Sequence, residues 1–200
     1  AGAALYKSAP LPLSGATSNG RARRQMGIAH IPEDRQTAGL IMPFMAWENI
    51  AFGYHERAAY QAGATLMDNA AIQKDCAEKM AQFDIRPPDI MLPARNFSGG
   101  NQQKIVVARE MAHTPDLLLI GQPTRGVDIG AIEFIHRQII ALRDQGCAIL
   151  LVSVELDEIM GLADRVAVMF DGQIMGERDA AKTDEAELGL LMAGLTKGAA

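Results

Sequence analysis

The run Phe97-Ser98-Gly99-Gly100-Asn101-Gln102-Gln103-Lys104 carries the residue types and spacing best suited to chemistry in this 200-residue sequence. A serine and two glycines precede good helix formers with apolar Ile105, Ala108 and Met111. Ser98 can accept a hydrogen bond from a first-turn amide, and Gly99 and Gly100 leave the backbone open to close approach. A helix start of this kind offers unpaired N–H groups and the positive end of the helix dipole to an anion, phosphate above all. On these residues alone, a plain Ser-Gly-Gly loop before a helix is the better account of the stretch. Metal chemistry has less support. His30, His55, His113 and His136 lie far apart without ligand spacing, and Cys76 and Cys147 form neither a metal pair nor a disulfide framework.

The elements that would position this run are clearest downstream. Asp116 to Ile120 (DLLLI) and Cys147 to Val152 (CAILLV) are short apolar runs that read as strands buried on both faces. Between them Ile132, Ile135, Ile139 and Leu142 form one helical stripe, with Asp128 as cap and Gly146 past its end. A helix over 156–163, a strand over 165–170 and an Asp171-Gly172 turn into Gln173 to Gly176 follow. Strand alternating with helix implies crossovers and a mainly parallel sheet. Upstream, Gly27 to Ile31 reads as one more strand. From Trp47 to Met111 only helical patterns occur, among them Ile72, Cys76, Met80 and Phe83 before Pro87-Pro88. The opening AGAALYKSAPLPLSGATSNG shows neither period. It begins at Ala1 and lacks the order of a secretory signal, so the expectation is a chain whose true start lies upstream.

Composition narrows the function classes. Apolar residues make up 48% and charged residues 22%, which is ordinary globular usage. The net charge of −5 without a basic face argues against a nucleic-acid partner. Arg21, Arg23 and Arg24 read as a solvated face, and the 11 methionines as core filler.

The 97–104 stretch resembles the signature motif of ABC-transporter ATPases, LSGGQ, and its NQQK form resembles importers of simple sugars and nucleosides. Pro123-Thr124-Arg125-Gly126-Val127-Asp128 resembles the family's D-loop. Val152 to Glu155 with Ala163-Asp164-Arg165 resembles its switch-histidine segment, and Gly27 to Arg35 its Q-loop segment. The resemblance covers residues 20–194. It implies an α/β, P-loop NTPase-like core with a mainly parallel sheet and an inserted helical subdomain. The implied organisation is an N-terminal core remnant with the Q-loop region over 1–46, and a helical subdomain over 47–113. A core segment over 114–183 with Walker B, D-loop and switch regions, then a C-terminal helix and tail over 184–200, complete it.

The departures from the family pattern are as informative. No GxxxxGK[ST] phosphate loop is present, since Gly2 to Ser8 is one residue short and has Tyr6 at the second glycine. At the family spacing from Phe97, Gly121 stands where an aspartate would hold Mg2+, and Gln122 where a glutamate would polarise water. Val154 takes the switch-histidine position and Glu33 the Q-loop glutamine position. Phosphoryl transfer depends on such groups, so the chain alone is expected to be inactive. The family sandwiches ATP between two cassettes. The resemblance therefore implies a second cassette whose Ser98, Gly99, Gly100, Asn101, Gln102 and D-loop Asp128 complete a site on a homologous first cassette. ATP and Mg2+ would be held mainly by that partner, with permease subunits and, indirectly, a solute-binding protein as further partners. The implied location is cytoplasmic, peripheral on the inner face of the plasma membrane. The alternative is a non-transport or regulatory ABC-like protein that does not hydrolyse ATP.

Overall fold

The computed structural model describes residues 4–15, 18–63 and 66–195. The Gly2 to Ser8 stretch, read as failing to make a phosphate loop, begins outside them. The chain divides into two compact units, Ala1–Leu150 and Leu151–Ala200.

The first unit opens with two-residue strands, β1 (Leu5–Tyr6) and β2 (Ala9–Pro10), paired antiparallel across Lys7 and Ser8 at positive φ. Helix α1 (Gly20–Gln25) follows, capped by Asn19. The sequence reading missed all three because elements this short cannot establish a repeat. Strand β3 (Ile28–Ile31) comes next. Helices α2 (Ala46–Ala51), α3 (Asn69–Gln82) and α4 (Gly99–Met111) then form the predicted helical block. Among the described residues this block holds only two isolated bridges and no strand. Asp68 caps α3, and the predicted Ile72, Cys76, Met80 and Phe83 stripe is buried. The helix stops at Gln82, ahead of the prolines, where Asp84 takes a positive φ.

Strand β4 (Leu117–Gly121) returns beside β3 in parallel, with Ile28 opposite Leu117 and Ile31 opposite Ile120. Helix α5 (Ile129–Asp144) and strand β5 (Ala148–Val152) complete the order β3-β4-β5. On α5 the buried face is Ala131, Ile135, Ile139 and Leu142, with Ile132 only half-buried. Strand β5 departs from the reading of burial on both faces. Cys147 is buried, but Ala148, Leu150 and Val152 are exposed, because only one side of the pleat is covered.

A buried charge cluster joins α1 to the helical block. Glu110 is fully buried on α4, and its carboxylate accepts from Arg24 Nη2 (3.2 Å), Arg109 Nε (2.8 Å) and Tyr54 Oη (2.8 Å). Burial alone would raise its pKa, but the Arg109 and Arg24 guanidinium charges outweigh that and hold it below the usual range. The arginines of α1 are therefore not simply a solvated face. Arg24 turns inward, Arg21 pairs with Glu56 at 2.8 Å, and Arg23 bonds Pro12 O and Ser18. Trp47 packs against the Ala51, Tyr54, Tyr60 and Ile72 cluster, which makes it a core contact. The methionines also differ from expectation: Met80 and Met111 are core, whereas Met26, Met45, Met67, Met91, Met169 and Met192 are exposed.

The second unit contains α6 (Leu156–Leu162), β6 (Arg165–Phe170), β7 (Gln173–Asp179) and α7 (Glu185–Met192). Its core is Val166, Val168, Leu188 and Leu191. Strand β6 pairs antiparallel with β7 in a separate two-stranded sheet instead of extending the parallel one. The Asp171-Gly172 turn, both residues at positive φ, supplies that partner locally with little loop-closure entropy. No helix among the described residues is long and apolar enough to cross a membrane.

Candidate functional site

Helix α4 begins at the Ser-Gly-Gly turn, as the sequence predicts. Ser98 is its cap, with Oγ accepting from the Asn101 amide (3.4 Å) and from Asn101 Nδ2 (2.9 Å). Asn101 Oδ1 in turn accepts from the Arg86 amide at 2.7 Å, which moors the turn to the loop after α3. Gln102 is buried and donates to Ala94 O (3.2 Å) and Phe97 O (3.0 Å), so it anchors the approach to the helix from inside. Ser98 is exposed, Gly99 half-buried and Gly100 buried. The first amides of a helix have no intrahelical acceptor, and those of Gly99 and Gly100 lie at the positive end of the helix dipole.

A side chain at either glycine would press on its neighbours. A Cβ at Gly99 would lie 2.7 Å from Arg35 Nη2 and 3.0 Å from Gly126 O, and one at Gly100 2.8 Å from Asp128 Oδ2 and 3.2 Å from Ala131 Cβ. Asp128 caps α5 through Oδ1, which accepts from the Ala131 amide at 2.9 Å. The starts of α4 and α5 thus converge on one carboxylate. Beside them opens a cavity of about 260 Å³ lined by Gly100, Asn101, Lys104, Asp128 and Arg137, among others. Lys104 Nζ donates to Asp84 O at 2.9 Å.

At the end of β4 the residues offer little to a metal. Gly121 has no side-chain oxygen, and a Cβ there would meet Glu33 N at 3.2 Å and Glu33 Cβ at 3.4 Å. The carboxylate of Glu33 is 2.6 Å from Arg125 Nη1 in an exposed ion pair. Gln122 takes a left-handed φ of 46°, unusual for a residue with a side chain. This donor set does not fit Mg2+: one position is empty of oxygen, another is an amide, and the nearby carboxylate already faces a guanidinium. Val154 lies in the second unit, is 64% exposed, and offers no group that titrates or donates.

Glu33, Ser98, Gly99, Gly100, Gly121, Gln122 and Asp128 all belong to the first unit. Sequence reasoning missed Arg35. It donates through Nη1 to Arg125 O (2.8 Å) and through Nη2 to Gly126 O (3.2 Å), across 90 residues of chain. Contacts to main-chain carbonyls leave no trace in a residue pattern, so no signal in the sequence marks them.

No protein-family model matches the chain. Curated relatives do. The guanosine import ATP-binding protein NupO of Bacillus subtilis is 46% identical over 173 residues, covering 86% of this chain and 34% of that protein. The nucleoside import ATP-binding protein NupA of Lactococcus lactis is 43% identical over 180 residues, 88% of this chain and 35% of that protein. The ribose import ATP-binding protein RbsA 1 of Rubrobacter xylanophilus is 37% identical over 194 residues, 96% and 38% respectively. The chain spans about a third of the length of these relatives. Among solved structures, a dimeric ATP-binding cassette in a post-hydrolysis state with ADP and Pi superposes with a TM-score of 0.70 at 19% identity, covering 88% of this chain and 72% of that one. A dimeric bacterial ABC transporter cassette gives 0.64 at 21% identity, covering 79% and 65%. The fold is that of an ATP-binding cassette, and the chain is homologous over most of its length to the ATP-binding proteins of nucleoside and ribose importers.

Proposed function

We propose that this chain is nucleotide-binding machinery of an ABC importer, acting as a second cassette that completes an ATP site held by a homologous first cassette. Ser98, Gly99, Gly100, Asn101 and Gln102 form the signature turn, and Asp128 the D-loop contact. The observation that carries this reading is the Ser98-capped α4 start, whose first-turn amides lie at two glycines packed closely against Arg35 and Asp128, in a unit whose β4 end holds no metal ligand at Gly121. The γ-phosphate of ATP bound by the partner would be met by those amides and the helix dipole. Hydrolysis by this chain is not supported by Glu33, Gly121 and Gln122 in the first unit, and Val154 in the second brings no titratable side chain. Nucleosides are the favoured cargo class over simple sugars, because identity is higher to the guanosine and nucleoside import proteins than to the ribose one. On this reading the chain works on the cytoplasmic face of the membrane against permease subunits, with a solute-binding protein delivering the cargo to them.

The test is Gly99→Asp in the assembled transporter. A carboxylate at this turn would repel the γ-phosphate and collide with Arg35, so ATPase activity and uptake are expected to fall by on the order of a hundredfold or more. Unchanged activity would show that the turn never meets nucleotide. Competition of guanosine and ribose for uptake by the same assembly decides the cargo class.

A further inference from the structure

We infer that Arg35 is a positioning residue: its guanidinium fork fastens the 125–126 backbone to the Gly99 turn, so that the two segments of the candidate site are presented as one piece. The inference rests on the proposed function only for its consequence in ATP binding; the fastening itself is read from geometry. Each terminal nitrogen takes a different carbonyl, Arg125 O at 2.8 Å and Gly126 O at 3.2 Å. The same Nη2 atom would lie 2.7 Å from a Cβ on Gly99, so the guanidinium fills the space that this glycine leaves open.

The base of the fork is hydrogen-bonded. Arg35 opens a wide helical turn, Arg35–Gly39, capped by Asp34, whose Oδ1 accepts from the Gln36 (2.9 Å) and Thr37 (3.2 Å) amides. The next residue of that turn reaches α4 independently, with Gln36 Nε2 donating to the buried Gln102 Oε1 at 3.1 Å. One short turn therefore grips the signature helix with Gln36 and the D-loop backbone with Arg35. The Glu33–Arg125 ion pair spans the same two loops, but both side chains are mostly exposed, and such pairs contribute little. A lysine at 35 would keep the charge but replace a planar fork of fixed spacing with one compact ammonium, so the two successive carbonyls would lose their fixed geometry.

The experiment compares Arg35→Lys, Arg35→Ala, Arg125→Ala and Gly99→Asp by amide hydrogen exchange and, in the assembled ATPase, by kcat and KM for ATP. Both Arg35 variants are expected to speed exchange about tenfold or more at the hydrogen-bonded Gln102, Arg125 and Val127 amides together, the fold-change for loss of one net charged hydrogen bond. Arg125→Ala should leave the Gln102 amide unchanged. In the assembly, Arg35→Lys should raise KM for ATP about tenfold with kcat held within about twofold, because binding geometry is lost while the hydrolytic groups lie on the other cassette. Unchanged exchange at the Gln102 amide in Arg35→Ala, or wild-type exchange and KM in Arg35→Lys, overturns the fork. If exchange responds but neither Arg35→Lys nor Gly99→Asp affects ATP turnover, the fastening is real and it is the assignment of the turn to nucleotide that fails, taking the positioning role with it.

Discussion

Replacing Gly100 with alanine isolates the contact between the two helix starts. The new methyl carbon would sit 2.8 Å from Asp128 Oδ2 and 3.2 Å from Ala131 Cβ. Asp128 cannot swing away freely, because its other oxygen caps α5 at 2.9 Å from the Ala131 amide. Ejecting that carboxylate costs about 1 kcal/mol of capping. Crowding the buried Ala131 adds about 1 kcal/mol or somewhat more, and the better helix propensity of alanine returns up to about 1 kcal/mol. The net expectation is a loss of about 1–2 kcal/mol, which corresponds to a melting temperature lower by about 3–6 °C for a chain of this size. Urea unfolding followed through Trp47, the single tryptophan, reports on the first unit directly. The decisive measurement is a double-mutant cycle with Asp128→Ala. With the carboxylate gone, most of the collision disappears, so the double variant should be scarcely less stable than Asp128→Ala alone, a coupling of about 1 kcal/mol. Strict additivity within about 0.3 kcal/mol would refute the argument that α4 and α5 meet at this carboxylate.

Further expectations follow from the buried groups and the β4 end. Glu110→Gln leaves Arg24 and Arg109 without their shared carboxylate, and should lower stability by about 3 kcal/mol or more in urea unfolding, or prevent soluble accumulation. Burial, reinforced by the charge of Arg57, depresses the His113 imidazole from 6.5 to about 4. The unfolded chain therefore takes up a proton first as pH falls, so this contribution to stability is complete above pH 6.5 and lost progressively toward pH 4; His113→Gln should flatten that part of the stability profile. Gln122→Glu by itself should raise hydrolysis in the assembled ATPase far less than the roughly 10²–10⁴-fold of a working general base, because Gly121 still supplies no oxygen, and phosphate release measures it.

The sequence announced the parts of this molecule that repeat. The α3 and α5 stripes, the β3 and β4 strands, a parallel sheet and the Ser98 cap follow from periodicity and local hydrogen-bond chemistry, and all are present. It was silent where geometry is made by the main chain or by elements too short to repeat. The β1–β2 hairpin, α1 and the fork of Arg35 onto two carbonyls are of that kind. The arginines of α1 show a third failure: composition sees three charges side by side, whereas only tertiary packing reveals that Arg24 is drawn inward to Glu110. For β5, an apolar run indicated a strand but not how many of its faces are covered.

That last strand has a practical corollary. Ala148-Ile149-Leu150-Leu151-Val152 contains no charge, proline or glycine to act as a gatekeeper, and it ends the order β3-β4-β5 with Leu150 at 57% and Val152 at 60% exposure. Such a ribbon is sticky toward any other extended segment, its own copies included. Purified by itself, this polypeptide should bind hydrophobic dyes, drift toward higher-order species as its concentration rises, and be rescued by a lysine written into the outward side of the ribbon.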